Sequence, residues 1–138
     1  MDLPQFAASV RQPVSRQDAL EAIYATGHFL LEAGRVADAA RMFRTLVQAS
    51  PRDERGWLGL GECHERQDQL RIAAELYGTG GTVADPPVRC RLARARVLAR
   101  SGQHDASEEA LDAARLAAEA LDDEVLLALV AAEQRRLP

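Results

Sequence analysis

One register governs this chain: small and large residues recur every 34 positions without an insertion. Gly27, Gly61 and Ala95 stand 34 apart, as do Ala39, Ala73 and Ser107, and the large residues Phe43, Tyr77 and Leu111 keep the same step. A fixed period of this size is the mark of a supersecondary unit that stacks on copies of itself. Within a unit the apolar spacing is helical. Leu20, Ile23, Gly27 and Leu30 share one face of a first helix that runs to about Ala33. A second helix from Val36 to Ala49 turns Val36, Ala39, Ala40, Phe43 and Leu46 inward and leaves Arg41, Arg44 and Gln48 to water. Gly34 and Gly102 fall in the turn between helices and Asp68 takes that place in unit two, residues that tolerate such turns. Pro51 stands where a helix must stop.

The centre of the pattern is Arg55-Gly56-Trp57-Leu58-Gly59-Leu60-Gly61-Glu62-Cys63. A glycine inside a helix costs about 1 kcal/mol relative to alanine, so Gly59 and Gly61 in one turn predict a close helix contact. Trp57, Leu60 and Gly61 resemble the W-x2-L-G opening of a tetratricopeptide repeat, a helix–turn–helix unit of 34 residues. The expected fold is all-α: three such repeats in a right-handed superhelix with a C-terminal capping helix. The units span about 20–53, 54–87 and 88–121 within 15–121, the cap covers 122–138, and residues 1–14 form an N-terminal arm, a short helix or disordered. Ser15 to Asp18 resembles a helix start, and Asp122-Asp123 caps a last helix whose Leu126, Leu127, Leu129 and Val130 cover the open end of the stack. Gly78-Thr79-Gly80-Gly81 lacks the preceding strand and the Gly-Lys-Ser/Thr end of a phosphate loop, and reads as a helix fraying at close-packed glycines.

Composition removes several functions. The 138 residues suit one domain, and net charge −4 argues against a nucleic-acid partner. There is no apolar run of 18 residues, so no membrane span is expected, and Met1-Asp2-Leu3-Pro4 does not open like a secretory signal. Cys63 and Cys90 fit small buried side chains in a reduced compartment. Cys63-His64-Glu65 is a tempting metal trio, but consecutive helical residues point about 100° apart and do not converge. No nucleophile setting or paired carboxylate stands out. The expectation is a non-enzymatic protein without cofactor or metal.

Function then rests on the surface. Stacked helix pairs curve, and their first helices line the concave side. At helical spacing the groove-facing places are Glu21, Tyr24, His28 and Leu31 in unit one; Arg55, Leu58, Glu62 and Glu65 in unit two; and Arg89, Leu92, Arg96 and Ala99 in unit three. The result is an apolar centre of Tyr24, Leu31, Leu58 and Leu92 ringed by charge. An extended peptide can insert apolar anchors there while Arg55, Arg89 and Arg96 take its carbonyls or acidic groups. The competing reading is a solvated charged face whose apolar residues pack on the chain's own arm.

Leu20-Glu21-Ala22-Ile23-Tyr24, then Gly34, Asp38-Ala39 and Phe43, resemble the class II chaperones of bacterial type III secretion, which serve the pore-forming translocators. Arg55 to Gly61 is similar to that family's Arg-Phe-Phe-Leu-Gly-Leu-Gly. Tyr77 and Gly80 fit its Tyr-x-Tyr-Gly, and Arg89 and Leu92 its Arg-Phe-x-Phe with Leu for Phe. The resemblance spans about residues 15–120 and implies a bacterial cytoplasmic chaperone. Such a protein holds an extended N-terminal segment of a secreted translocator in its groove and keeps it soluble before export. It implies client contacts at Tyr24, Leu58, Arg89 and Leu92, while His28, Leu31, Arg55, Glu62 and Arg96 rest on helical geometry. The arm before the repeats, broken by Pro13, is shorter than the family's dimer-forming helix, which leaves a weak homodimer or heterodimer. Chaperoning of a needle or filament subunit, or a generic repeat adaptor joining folded proteins, are the alternatives. The adaptor type that clamps a C-terminal carboxylate is disfavoured, because Tyr24, His28, Gly59 and Ala93 stand where it uses Lys and Asn.

Overall fold

A computed structural model describes residues 15–138; the expected arm, 1–14, and any cover it gives the groove lie outside the described residues. Seven helices follow among them: α1 Arg16–Glu32, α2 Val36–Ala49, α3 Glu54–Arg66, α4 Leu70–Val83, α5 Val88–Arg100, α6 His104–Leu121 and α7 Glu124–Arg136. Helices α1 and α2, α3 and α4, and α5 and α6 pack as antiparallel pairs, each pair against the next. The turns between partners need left-handed backbone, which Gly34 (φ +79°), Asp68 (φ +58°) and Gly102 (φ +76°) supply. Ser15 caps α1 by accepting the Asp18 N–H at 3.0 Å, and Asp123 caps α7 by accepting from Val125 and Leu126.

The layers follow from which helices touch. First helices contact one another in the order α1, α3, α5, α7, whereas α2, α4 and α6 make no such mutual contact. A stack whose first helices are close and whose second helices are splayed bends with α1, α3 and α5 on the inside. Within each pair, small residues permit the two helices to lie close. A Cβ on Gly27 would lie 3.0 Å from the Phe43 ring, and one on Gly61 2.2 Å from Tyr77 Cε1. In unit three Ala95 is small enough, and Ser107 Oγ donates to its carbonyl at 2.7 Å. The core therefore links units: Leu31, Phe43, Leu60 and Cys63 join one to two, and Tyr77, Ala93 and Val97 join two to three. Burial pushes the Cys63 thiol up to about 11, with Glu62 adding to the rise.

The glycine-rich end of α4 does not fray as the sequence suggests. It stays helical to Val83, because a Cβ on Gly80 would meet Trp57 Cβ at 2.6 Å and Cys90 Sγ at 2.7 Å. The glycines there let α4 lie against α3 and α5. Arg91 locks the same junction, donating from Nε to the Gly81 carbonyl at 2.9 Å and from Nη1 to the Ala113 carbonyl at 3.0 Å.

Helix α5 begins after Pro87, which offers no side-chain acceptor. Its first turn is capped from another repeat: Glu54, 7% exposed, accepts the Cys90 N–H at 3.3 Å, with Arg89 Nη1 at 3.7 Å. Burial raises the Glu54 carboxyl above its usual range despite these partners. Folding thus favours the protonated form, so this residue's stabilisation is full below the unfolded carboxyl range and is lost as pH rises through the raised one. Glu54→Gln keeps an acceptor for Cys90 and removes the buried charge. We expect it to melt above the parent protein at pH 7 and the gap to close as pH falls towards 4, read by circular dichroism at both pH values. A lower melting temperature at pH 7 would show that pairing with Arg89 outweighs burial.

Candidate functional site

On the inner face two depressions adjoin. The first, about 100 Å³, lies between α1 and α3, with Tyr24, His28 and Leu58 at its sides and Leu31, Phe43 and Gly59 beneath. The second, about 520 Å³, lies between α3 and α5 and is lined by Leu58, Glu62, Glu65, Arg66, Tyr77, Arg96 and Arg100. Leu58 and Glu62 border both, so the two form one groove across the first helices. Leu58 is half-buried and packs beside Ala73, Tyr77, Ala93 and Val97.

Ion pairs brace this face from repeat to repeat. The Arg55 guanidinium lies 4.5 Å over the Tyr24 ring. It donates to Glu21 from Nη1 and Nη2 at 2.9 and 2.7 Å, and to Asp53 from Nε and Nη2 at 3.1 and 2.9 Å. The Arg55 hydrogen bonds hold the Glu21 and Asp53 carboxyls below their usual range. Arg66 Nη1 donates to the Leu31 carbonyl at 2.8 Å and Nη2 to Glu62 at 3.2 Å. Glu65 accepts the Tyr77 hydroxyl on one oxygen and Arg100 Nη1 on the other at 2.9 Å. Burial, with Glu65 beside it, pushes the Tyr77 hydroxyl well above its ordinary range. Exposed pairs contribute little stability each. Here Glu21–Arg55 and Glu65–Arg100 each link an acid of one unit to an arginine of the next.

The nine residues expected at the site divide. Tyr24, His28, Arg55, Leu58 and Glu62 border the first depression, and Leu58, Glu62 and Arg96 the second. Leu31, expected as a surface anchor, is 1% exposed and belongs to the core beneath the first depression. Leu92 departs further: it is 8% exposed and packs with Val88, Leu126 and Val130. At this place Tyr24 and Leu58 look towards Arg55 and Arg96, but the neighbour of α5 is the apolar face of α7, which closes over Leu92. Arg55 sits at the groove with its donors taken by Glu21 and Asp53, so it frames the site instead of offering itself to a ligand. Arg89 turns towards Glu54 and lines neither depression. Sequence reasoning missed Arg66, Arg100 and Tyr77 as lining residues. The one signal for Tyr77 was a hydroxyl at a place filled by Phe43 and Leu111, since a buried tyrosine oxygen needs a partner.

Cys63, His64 and Glu65 diverge as helical geometry requires. The Cys63 thiol lies in the core, His64 Nδ1 pairs with Gln69 Oε1 at 2.6 Å, and Glu65 faces the groove. No helix among the described residues is long and apolar enough to cross a membrane.

Residues 30–82 match the tetratricopeptide repeat family. The solved structure of PcrH from Pseudomonas aeruginosa is 29% identical, with 90% of this chain and 94% of that chain covered and a TM-score of 0.73. PcrH in complex with the chaperone binding region of PopB is 30% identical over 87% of this chain and 97% of that one, with a TM-score of 0.71. The Yersinia enterocolitica type III secretion translocator chaperone SycD shares the fold, at TM-score 0.74 and 24% identity over 88% of this chain and 91% of that chain. Low calcium response locus protein H of Yersinia pestis is 28% identical over 94 residues, 68% of this chain and 56% of that protein. The chain thus spans little more than half the length of that curated relative. With three helix pairs in one register, an open inner groove, and PcrH matched almost end to end at 30% identity, the chain belongs to the tetratricopeptide-repeat family of type III secretion translocator chaperones.

Proposed function

We propose that this protein is a non-enzymatic chaperone of the bacterial cytoplasm that holds an extended segment of a translocator in its inner groove before export. The observation that carries this is the groove itself: Tyr24 and Leu58 form an apolar centre on the first-helix face, and ion pairs hold that face open on either side. A folded partner would need a broad matching surface. A single strand needs only a narrow trough with pockets for alternate side chains. PcrH, similar in fold and 29–30% identical, has been solved with the chaperone binding regions of PopB and of PopD. Tyr24, His28, Leu58, Glu62 and Arg96 are the contacts this reading assigns to the client. Covering an aggregation-prone segment removes apolar surface from solution, and at a hundredfold excess over Kd it stabilises the soluble state by about 2.7 kcal/mol.

Co-expression with a candidate translocator tests the proposal. We expect the translocator to move from the insoluble to the soluble fraction and to copurify with this chain. If the translocator stays insoluble while a needle or filament subunit is held, the client class is wrong. If only natively folded partners are captured, the protein is an adaptor and the proposal fails.

A further inference from the structure

We propose that the α3–α5 half of the groove selects a client segment bearing a carboxylate about three residues from the apolar side chain seated between α1 and α3, with Arg96 as its reader. This rests on the groove reading above and gives that groove a sequence preference.

The two halves offer different chemistry. The first is a small apolar notch whose one nearby cation, Arg55, has its donors engaged by Glu21 and Asp53. The second is wide and flanked by three guanidiniums, Arg66, Arg96 and Arg100. Two of these are occupied: Arg66 by Glu62 and the Leu31 carbonyl, Arg100 by Glu65. Arg96 is not. Its Nη2 stands 3.9 Å from Glu65 Oε2, beyond hydrogen-bond reach, and that oxygen already accepts the Tyr77 hydroxyl. Among the described residues lining the groove, Arg96 is the guanidinium that donates no hydrogen bond, and its fork is half-exposed, the geometry that takes a carboxylate by two parallel N–H bonds.

Position sharpens the choice. Leu92, which would have made a third apolar place, is sealed beneath α7, so the groove beyond Leu58 has a polar wall where an apolar one was expected. Glu62 stands at the notch beside an Arg55 that is already engaged, whereas in the wide depression Glu62 and Glu65 face three guanidiniums, which favours a carboxylate further towards α5. Neighbouring packed helices lie about 8–10 Å apart, and an extended chain advances about 3.3 Å per residue. An apolar residue in the notch and an acid at Arg96 are therefore about three residues apart.

Three fluorescein-labelled peptides of about twelve residues, otherwise Ser, Ala and Thr, test this by anisotropy with the full chain at about 50 mM and about 500 mM NaCl. One carries Leu and, three residues on, Asp; the second has Asn for Asp; the third has Ser for Leu. We expect the Asp peptide to bind about tenfold more tightly than the Asn peptide at low salt, and the ratio to fall within about twofold at high salt and in Arg96→Gln. Equal binding of the Asp and Asn peptides, or a preference that survives Arg96→Gln, overturns the selection by Arg96. If that happens while the Ser peptide still binds worse than the Leu peptides, the groove reading stands alone. If exchanging Leu for Ser changes nothing, or no peptide binds, both fall together.

Discussion

Gly61→Ala should lower the thermal midpoint by about 10 °C, a loss of about 2–3 kcal/mol, from a single added methyl group. That carbon would stand 2.2 Å from Tyr77 Cε1 and 2.5 Å from Cζ. The ring cannot swing aside, since Tyr77 is buried and its hydroxyl is tied to Glu65. Nor can α3 retreat freely, because Gly59 is pressed as closely on Phe43, at 2.3 Å for an added Cβ. Alanine returns about 1 kcal/mol of helix propensity, and the net loss is what remains after that gain. Gly78→Ala is the matched control on α4. Its nearest neighbour would be Arg94 Nε at 3.4 Å, an ordinary contact with a flexible side chain, so propensity wins and stability should rise by up to about 1 kcal/mol. Urea or thermal unfolding of both variants decides the matter. Shifts of the same sign and size would mean that helix contact is not why glycine stands at 61.

Much of the fold is legible in the sequence because it depends on backbone closeness and turn geometry, which few residues satisfy. Only small residues fit opposite Phe43, Tyr77 and Leu111, and only residues tolerant of positive φ fit at 34, 68 and 102. The groove is less legible because its chemistry is settled by neighbours distant in sequence. Helical spacing places Leu92 beside Tyr24 and Leu58 in register, but whether that place is open depends on what the next first helix brings. For α5 it brings Leu126 and Val130. Spacing likewise marks Arg55 as a groove cation without showing that Glu21, one repeat back, and Asp53 both claim it. Glu54 reads as an ordinary charged residue at a helix start, yet it caps a helix whose own N-cap is proline.

Leu58→Asp should abolish the holding of a translocator segment while the free protein stays folded. Leu58 is the apolar side chain that borders both depressions, so a seated strand must cover it. In the free protein the groove is open, and a carboxylate there keeps much of its water. When a client closes over it, that water is lost and the neighbouring Glu62 repels it. The expected penalty is about 4 kcal/mol, or about a thousandfold in affinity, enough to return a co-expressed translocator to the insoluble fraction. Because Leu58 also packs beside Tyr77 and Val97, some loss of stability accompanies the change, and a second variant separates the two effects. Tyr24→Ala removes the far wall of the notch and the ring beneath Arg55, but leaves Arg55 its pairs with Glu21 and Asp53. It should weaken client binding by about tenfold, roughly 1.4 kcal/mol, with little change in melting temperature. Far-ultraviolet circular dichroism and melting curves report the fold, and copurification with the translocator reports the function. If both variants keep the parent's helical signal and still hold the client as the parent does, the client lies on some other face of the molecule.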